Sequence, residues 1–220
     1  MKINKKNESE ILAIDEPDVY LHSVRDSYSE KKLHELGIFN TINTGCPTLW
    51  GLTPTHCNTI PTKKADNVIF TLTDYRKSSI EDKNMIHLLF SAYEKLYFWI
   101  QGSEDLAYLQ TLLTGTELKK ITLINPSLYS YDQLFIDANN LDYVGTRLHA
   151  GIRAIQKKCR SIIIGIDNRA IEKRDDFNLM VIERGNTEKL SEIIAAPFHT
   201  SIQIPTDNID KWKAQFNGSQ

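Results

Sequence analysis

Short β-branched runs alternate with longer amphipathic segments along this chain, and that alternation constrains its fold more than any other feature. Residues 67–72 and 161–165 are brief apolar runs rich in valine, isoleucine or threonine, as strands buried on both faces are. Between such runs lie segments like residues 81–93, where apolar side chains recur at spacings of three and four, which is typical of helices. The pattern predicts successive βα units around a parallel sheet, and therefore a Rossmann-like α/β fold in which helices flank the sheet.

The apolar periodicity and the capping residues together give the positions of the individual elements. The predicted strands lie at residues 19–24, 41–43, 67–72, 95–101, 120–124, 143–145, 161–165 and 180–182. The predicted helices lie at residues 27–36, 81–93, 103–113, 128–138, 148–158, 170–178, 187–195 and 207–216. In the first predicted helix, Asp26 is placed to cap the start and Gly37 to end it.

One stretch, residues 45–64, breaks the alternation. It contains three prolines and no long periodic pattern, so we interpret it as an interdomain linker. The roughly fifty residues before it hold too few elements to bury a core of their own. We therefore predict a boundary between residues 1–54 and a C-terminal Rossmann-like domain at residues 55–220, with the first part packing against something else.

Composition excludes several classes of protein. The chain has 220 residues with 26 Lys+Arg against 28 Asp+Glu, a net charge of −2, so electrostatics give no reason to expect nucleic acid or an anionic membrane as partner. The apolar runs are much shorter than the roughly 18 residues of a spanning helix, and the polar start is unlike a secretory signal. We expect a cytoplasmic location. Three cysteines at unrelated spacings argue against a disulfide framework and a paired-cysteine metal site.

The most informative segment for chemistry is residues 142–153, DYVGTRLHAGIR. A short strand ends at Gly145 and a helix begins a few residues later, so Arg147 and His149 stand where open α/β sheets bind ligands. Arg153 follows one helical turn beyond His149. A helix N-terminus with these side chains predicts an anion site with an acid/base attached. The alternative is that Arg147 caps a helix and His149 is structural.

Other strand ends carry weaker candidates. Arg25 closes the first strand, and an arginine there needs a partner, which could be Asp26, Asp74 or a ligand. Asn168 and Arg169 follow a later strand at the equivalent place and could also contact a ligand.

Several familiar catalytic patterns are absent from the sequence. The six histidines are scattered without metal-ligand spacing, and there is no P-loop, GxGxxG or GxSxG. We therefore predict no metal and no cofactor.

Three stretches, SVRDSYSEKKL, GIFNTINTGCPTLWGL and DYVGTRLHAGIRAIQKKCRSIIIGIDNRA, resemble the polysaccharide pyruvyl transferase family in order and spacing. The Arg-Leu-His at 147–149 is the most distinctive element. The resemblance implies transfer of a pyruvyl group from phosphoenolpyruvate to a sugar hydroxyl of a cell-surface or exopolysaccharide chain, with formation of a pyruvate ketal.

The resemblance also implies an architecture. Family members look like two Rossmann-type domains facing each other across a cleft, as in GT-B glycosyltransferases, and this chain resembles the C-terminal half. Residues 1–54 then correspond to the last βα units of an N-terminal domain plus a linker. The surface that such a domain would cover could support self-association.

By the same resemblance, Arg147, His149 and the backbone of Leu148 contact phosphoenolpyruvate, and Arg25 supplies a second guanidinium. His149 is the candidate acid/base, since histidine ordinarily titrates near neutral pH. Arg153, Asn168 and Arg169 complete the predicted binding set, with a saccharide as acceptor.

Two other functions fit the same pattern. A GT-B nucleotide-sugar glycosyltransferase domain would grip a nucleoside diphosphate at these strand ends, although it usually needs a glycine-rich loop and Gly145 stands alone. A non-catalytic fragment that binds an anion is the third possibility.

Overall fold

The computed structural model describes residues 20–137 and 140–217, which fall into two units. One unit combines the chain up to Gly45 with the residues from Pro205 onward, and the larger unit runs from Cys46 to Ile204. Val19 of the first predicted strand and Ala138 of a predicted helix lie outside the described residues.

All the β-structure described is parallel, as the sequence pattern predicts. The strands are β1 (His22–Val24), β2 (Thr41–Asn43), β3 (Asn67–Thr71), β4 (Lys95–Trp99), β5 (Ile121–Ile124), β6 (Leu141–Gly145), β7 (Arg160–Gly165) and β8 (Val181–Glu183). Strands β3 to β8 form a six-stranded sheet in the larger unit, in the order β5-β4-β3-β6-β7-β8. This is the predicted Rossmann-like arrangement.

The strand order reverses between β3 and β6. From β3 the chain builds outward through β4 and β5, and it then returns to place β6 on the other side of β3, followed by β7 and β8. Adjacent loops diverge at such a point and leave a crevice beyond the carboxyl ends of the strands, where α/β proteins bind ligands. The topology therefore predicts a ligand-binding crevice at the carboxyl ends of β3 and β6.

Helices follow the strands along the chain. The described ones are α1 (Ser27–Glu35), α2 (Pro54–Cys57), α3 (Ser79–Ala92), α4 (Asp105–Leu112), α5 (Gly115–Leu118), α6 (Leu128–Asp137), α7 (Leu148–Gln156), α8 (Asn168–Phe177), α9 (Thr187–Ala195) and α10 (Thr206–Ala214). The prediction missed α2 and α5, although Thr114 and Glu117 form a capping box at the start of α5 that is visible in the sequence.

None of the helices in residues 20–137 and 140–217 combines the length and apolar character needed to cross a bilayer.

The sheet of the larger unit is buried on both faces. Val68 and Phe70 pack into one apolar cluster, whereas Ile69 between them packs into the other. Ile163 likewise lies on the face opposite to that of its two isoleucine neighbours. Successive residues of a strand point to opposite faces of the sheet, so a strand that is buried on both faces must be apolar at every position. This is why these strands are continuous apolar runs in the sequence and do not alternate apolar with polar residues.

Residues 46–64, predicted as a linker, are part of the larger unit and pack into its core. A 3-10 helix at Pro47–Leu49 and helix α2 each start with a proline, a position where its missing N–H costs nothing. Leu49, Leu52 and Cys57 are buried in one apolar cluster of the sheet. The prolines therefore begin short helical turns, and the larger unit starts at Cys46 where we predicted residue 55.

The smaller unit contains the two-stranded sheet β1-β2 together with α1 and α10. Asp26 caps α1 as predicted, accepting a hydrogen bond from the Ser29 N–H at 2.8 Å. The predicted C-terminal helix is present as α10, and it belongs to this unit because Asn208 donates to the Asn43 carbonyl at 2.9 Å. That residues 1–54 correspond to part of a preceding Rossmann-like domain stays a prediction.

Candidate functional site

The carboxyl ends of β3, β6 and β7 are adjacent in the sheet, so the loops that follow them meet. Thr73 after β3 and Thr146 after β6 are buried and joined by a hydroxyl–hydroxyl hydrogen bond of 2.8 Å. The two loops are therefore fixed to each other where the strand order reverses.

A cavity of about 100 Å³, which we call the strand-end cavity, opens at this edge. Its lining is Tyr75, Gln101, Thr146, Arg147, Leu148, His149, Ile166, Asp167, Arg169 and Ala170. A larger cavity of about 260 Å³ lies at the opposite edge, near Ser161 and Met180 at the amino ends of β7 and β8. Ligands of parallel α/β sheets bind at the carboxyl edge, so the strand-end cavity is the candidate site.

Arg147 forms one wall of the strand-end cavity and is held on several sides. Its Nε donates to the Leu72 carbonyl at 2.9 Å, and its Nη2 donates to Asp74 at 3.1 Å and to Asp105 at 2.5 Å. The guanidinium carbon also lies 5.5 Å from the centre of the Tyr75 ring, within cation–π range. The side chain is only 14% exposed, so the arginine is fixed and its charge is largely offset before any ligand binds.

Asp105, at the start of α4, is the fully buried centre of this arrangement. Its carboxylate accepts the backbone N–H groups of Gln101 and Gly102 at 3.2 and 2.6 Å and that of Asp74 at 3.3 Å, besides Arg147. One carboxylate thus connects the loops after β3, β4 and β6. A Cβ at position 102 would lie 2.4 Å from Arg147 Nη2, so any residue larger than glycine there would displace the guanidinium.

Helix α7 presents its N-terminus to the strand-end cavity. Its N-cap residue, Arg147, makes no side-chain capping bond, whereas the neighbouring α8 is capped by Asp167, which accepts from the Arg169 N–H at 3.0 Å. The first N–H groups of a helix lack intrahelical partners. Those of α7, around Leu148 and His149, therefore offer donors and a partial positive charge to an anion.

His149 lies in the first turn of α7 and is exposed. Its Nε2 is 3.9 Å from the Sγ of Cys46, a residue more than a hundred positions away in sequence. The imidazole is thus accessible at the rim of the strand-end cavity, with a thiol as neighbour.

Arg169 is the second cation of the strand-end cavity, and it is 44% exposed. Its guanidinium donates to Asp167 at 2.6 and 3.0 Å and to the Tyr75 hydroxyl at 2.9 Å. Burial alone would raise the pKa of Asp167, but the bonds from Arg169 outweigh burial and lower that pKa. The same contacts raise the pKa of Arg169, so the pair stays ionised.

The structure brings together four of the predicted site residues around the strand-end cavity, and two others in the same unit do not line it. Arg147, Leu148, His149 and Arg169 line it. Asn168 is adjacent in sequence but is not part of the lining. Arg153 points elsewhere, since it makes a two-point ion pair with Asp132 on α6 at 2.9 and 2.5 Å.

Arg25 belongs to the smaller unit. It follows β1, its side chain is 54% exposed, and its Nε lies 3.6 Å from Asp26, one of the partners that the sequence suggested.

Within the described ranges, no three His, Cys, Asp or Glu side chains converge as metal ligands.

The family model for polysaccharide pyruvyl transferase matches residues 2–168 of the 220-residue chain. The chain belongs to the polysaccharide pyruvyl transferase family. This membership confirms the resemblance seen in the sequence and assigns the protein to enzymes of polysaccharide biosynthesis that transfer a pyruvyl group. No curated protein matches the chain in the sequence search.

The range matched by the pyruvyl transferase model covers most of the candidate site. It contains Asp74, Asp105, Arg147 and His149, and it ends at Asn168, one residue before Arg169. The loops after β3, β4 and β6, which Asp105 connects, thus lie within the part of the chain that the pyruvyl transferase model matches.

Proposed function

We propose that the protein transfers the pyruvyl group of phosphoenolpyruvate to a saccharide and forms a pyruvate ketal, and that the strand-end cavity holds the donor. The observation that carries this proposal is the convergence of the uncapped α7 N-terminus with Arg169 and His149 around one cavity. Phosphoenolpyruvate is a metabolite of the cytoplasm, so we propose that the reaction takes place there.

The charge arrangement supports a compact anionic donor. Phosphoenolpyruvate carries a carboxylate and a phosphate, and both groups suit guanidinium side chains and helix N-termini. The charge of Arg147 is already neutralised by the half-buried Asp74 and the buried Asp105. We therefore assign Arg147 the role of a rigid cavity wall that presents one edge of its guanidinium to the ligand. The N–H groups of α7 and the more exposed Arg169 then supply most of the attraction.

The reaction needs an acid that can protonate the methylene carbon of phosphoenolpyruvate. Protonation of that carbon makes the central carbon electron-deficient, a sugar hydroxyl attacks it, phosphate leaves, and a second hydroxyl closes the ketal. His149 is the exposed imidazole at the rim of the strand-end cavity, and histidine is well suited to move protons at neutral pH. We propose it as general acid/base, with Arg169 and the α7 N-terminus stabilising the departing phosphate.

The remaining predicted site residues are Arg25, Asn168 and Arg153. Arg25 and Asn168 remain candidates for contact with the donor or with the saccharide acceptor. Arg153 is left out of the proposed site because its Nε and Nη2 donate to Asp132 and its Nη1 donates to Gln156.

Calorimetric titration with phosphoenolpyruvate tests the proposal through Arg169→Ala. We expect binding to weaken by about 10- to 150-fold, the effect of losing a hydrogen bond to a charged group. The loss of Arg169 also leaves the Asp167 carboxylate facing the ligand, which acts in the same direction. Arg174→Ala is the matched control, since Arg174 lies on the same helix but lines the opposite cavity. The Arg174→Ala variant should bind phosphoenolpyruvate with the affinity of wild type.

Parallel titrations with UDP and GDP separate the alternatives. Preference for a nucleotide, weakened by Arg169→Ala, would contradict the pyruvyl donor site and favour a nucleotide-sugar glycosyltransferase. Equal affinity of the Arg169→Ala and Arg174→Ala variants for phosphoenolpyruvate would show that the donor binds outside the strand-end cavity.

A further inference from the structure

Cys46 forms a side-chain pair with His149, and the proposed transfer reaction uses the imidazole of this pair but not the thiol. Cys46 is the first residue of the larger unit, and its Sγ lies 3.9 Å from His149 Nε2. The Thr48 hydroxyl donates to the same sulfur at 3.1 Å. The thiol is half-buried and the imidazole exposed, so a small reagent can approach the sulfur while His149 and Thr48 stay in place.

The pair is held in position by the packing of residues 46–64 on α7. Gln156, near the end of α7, donates to the Thr48 carbonyl at 2.6 Å. His56 of α2 bonds to the Ile155 carbonyl at 2.8 Å, and Leu49 is fully buried. Cys46 is therefore fixed beside the first turn of α7, where the helix carries partial positive charge.

This environment favours the thiolate form of Cys46 over the thiol. The hydrogen bond from His149 is the main cause that lowers the Cys46 pKa to about 6, and it outweighs the effect of burial, with Thr48 adding to it. The other two cysteines behave in the opposite way. Burial raises the pKa of Cys57 and raises that of Cys159 further.

We propose that Cys46 is a modification site, a nucleophilic thiolate that reacts with soft electrophiles such as hydroperoxides and alkyl halides, with His149 as its activating partner. With a hydroperoxide, Sγ attacks one peroxide oxygen, an S–O bond forms and the O–O bond breaks. The sulfur is oxidised to a sulfenic acid and the peroxide is reduced to water or an alcohol. With an alkyl halide, an S–C bond forms and halide leaves. The proposal does not depend on which ligand occupies the strand-end cavity.

The pH at which reactivity is compared decides whether the effect can be seen. Near pH 7 a thiol with a pKa of about 6 is mostly thiolate, but low-pKa thiolates are also weaker nucleophiles, so the gain over an ordinary cysteine is only about two- to threefold. Near pH 6 an ordinary cysteine is almost entirely protonated, and the gain is about tenfold. The pH midpoint of the reaction and the rate near pH 6 are therefore the informative quantities.

Alkylation of the native protein by iodoacetamide, followed by peptide mass spectrometry from about pH 5 to about pH 9, tests the proposal. We expect Cys46 to react first, with a midpoint near 6, while Cys57 and Cys159 stay unmodified. His149→Gln should move the midpoint toward the ordinary value of about 8.5 and slow the reaction near pH 6 by about tenfold. Thr48→Val should move it in the same direction by less.

The matched control is His199→Gln, which removes an exposed histidine from the opposite cavity and should leave the midpoint unchanged. A wild-type midpoint near 8.5, or the same midpoint in wild type and His149→Gln, would overturn the proposal. Modification of Cys57 or Cys159 before Cys46 would overturn it as well. Because no phosphoenolpyruvate is present, failure of the donor proposal leaves these results unaffected.

Discussion

Replacing His149 by glutamine is expected to lower the rate of pyruvyl transfer by about 10²- to 10⁴-fold, the contribution of a positioned general acid or base. Affinity for phosphoenolpyruvate should stay close to that of wild type, since glutamine keeps a polar side chain of similar reach but cannot carry a proton between carbons and oxygens. The loss should therefore fall on turnover and not on binding. Phosphate release from phosphoenolpyruvate, with p-nitrophenyl glycosides of common hexoses as acceptors, measures the first quantity, and calorimetry measures the second.

Two variants show whether such a loss belongs to the imidazole. His199→Gln changes an exposed histidine that lines the opposite cavity and should turn over like wild type. Cys46→Ser removes the thiol beside His149 but keeps the imidazole, so a much smaller loss than that of His149→Gln is expected. Turnover of His149→Gln at the wild-type rate would remove the residue from the acid/base role.

The part of the site that could be predicted from sequence is the part that is local in sequence. Gly145, Arg147 and His149 lie within five consecutive positions at a strand-to-helix turn, and parallel strands place such turns at one edge of the sheet. Asp105 could not be found in this way, because its role depends on β4 lying beside β3. Sequence spacing does not give strand order, so a carboxylate that bonds to an arginine 42 positions away leaves no local signal.

The fold prediction was right for the fully buried strands and wrong for the proline-containing segment at residues 46–64. Strands such as β3 and β7 were predicted because burial on both faces leaves continuous apolar runs. Residues 46–64 were misinterpreted because proline was taken as a break, whereas Pro47 and Pro54 begin helical turns. The apolar side chains that bury this segment, Leu49 and Leu52 among them, are too irregularly spaced to show periodicity. Their burial is decided by packing against α7 and the sheet.

Replacing Asp105 by alanine is expected to lower the free energy of unfolding by about 3–5 kcal/mol, the cost of removing one partner from a buried ion pair. The carboxylate is fully buried, and its loss leaves three backbone N–H groups and part of the Arg147 charge without their acceptor. Urea denaturation followed by tryptophan fluorescence measures the change. A Trp212→Phe background is needed, because Trp212 belongs to the smaller unit whereas the other tryptophans lie in the larger one.

Asp105→Asn separates the two contributions of the carboxylate. The amide oxygen can still accept backbone N–H groups, but the negative charge facing Arg147 is gone, so the loss of stability should be smaller than for alanine. Glu104→Ala, at the exposed neighbouring position, should stay within about 0.5 kcal/mol of wild type. If Asp105→Ala were as stable as Glu104→Ala, the Asp105 carboxylate would not be what holds the loops after β3, β4 and β6 together. A graded loss, largest for alanine, instead means that one buried carboxylate fixes Arg147 at the cavity wall, and phosphoenolpyruvate affinity should then decrease in the same order.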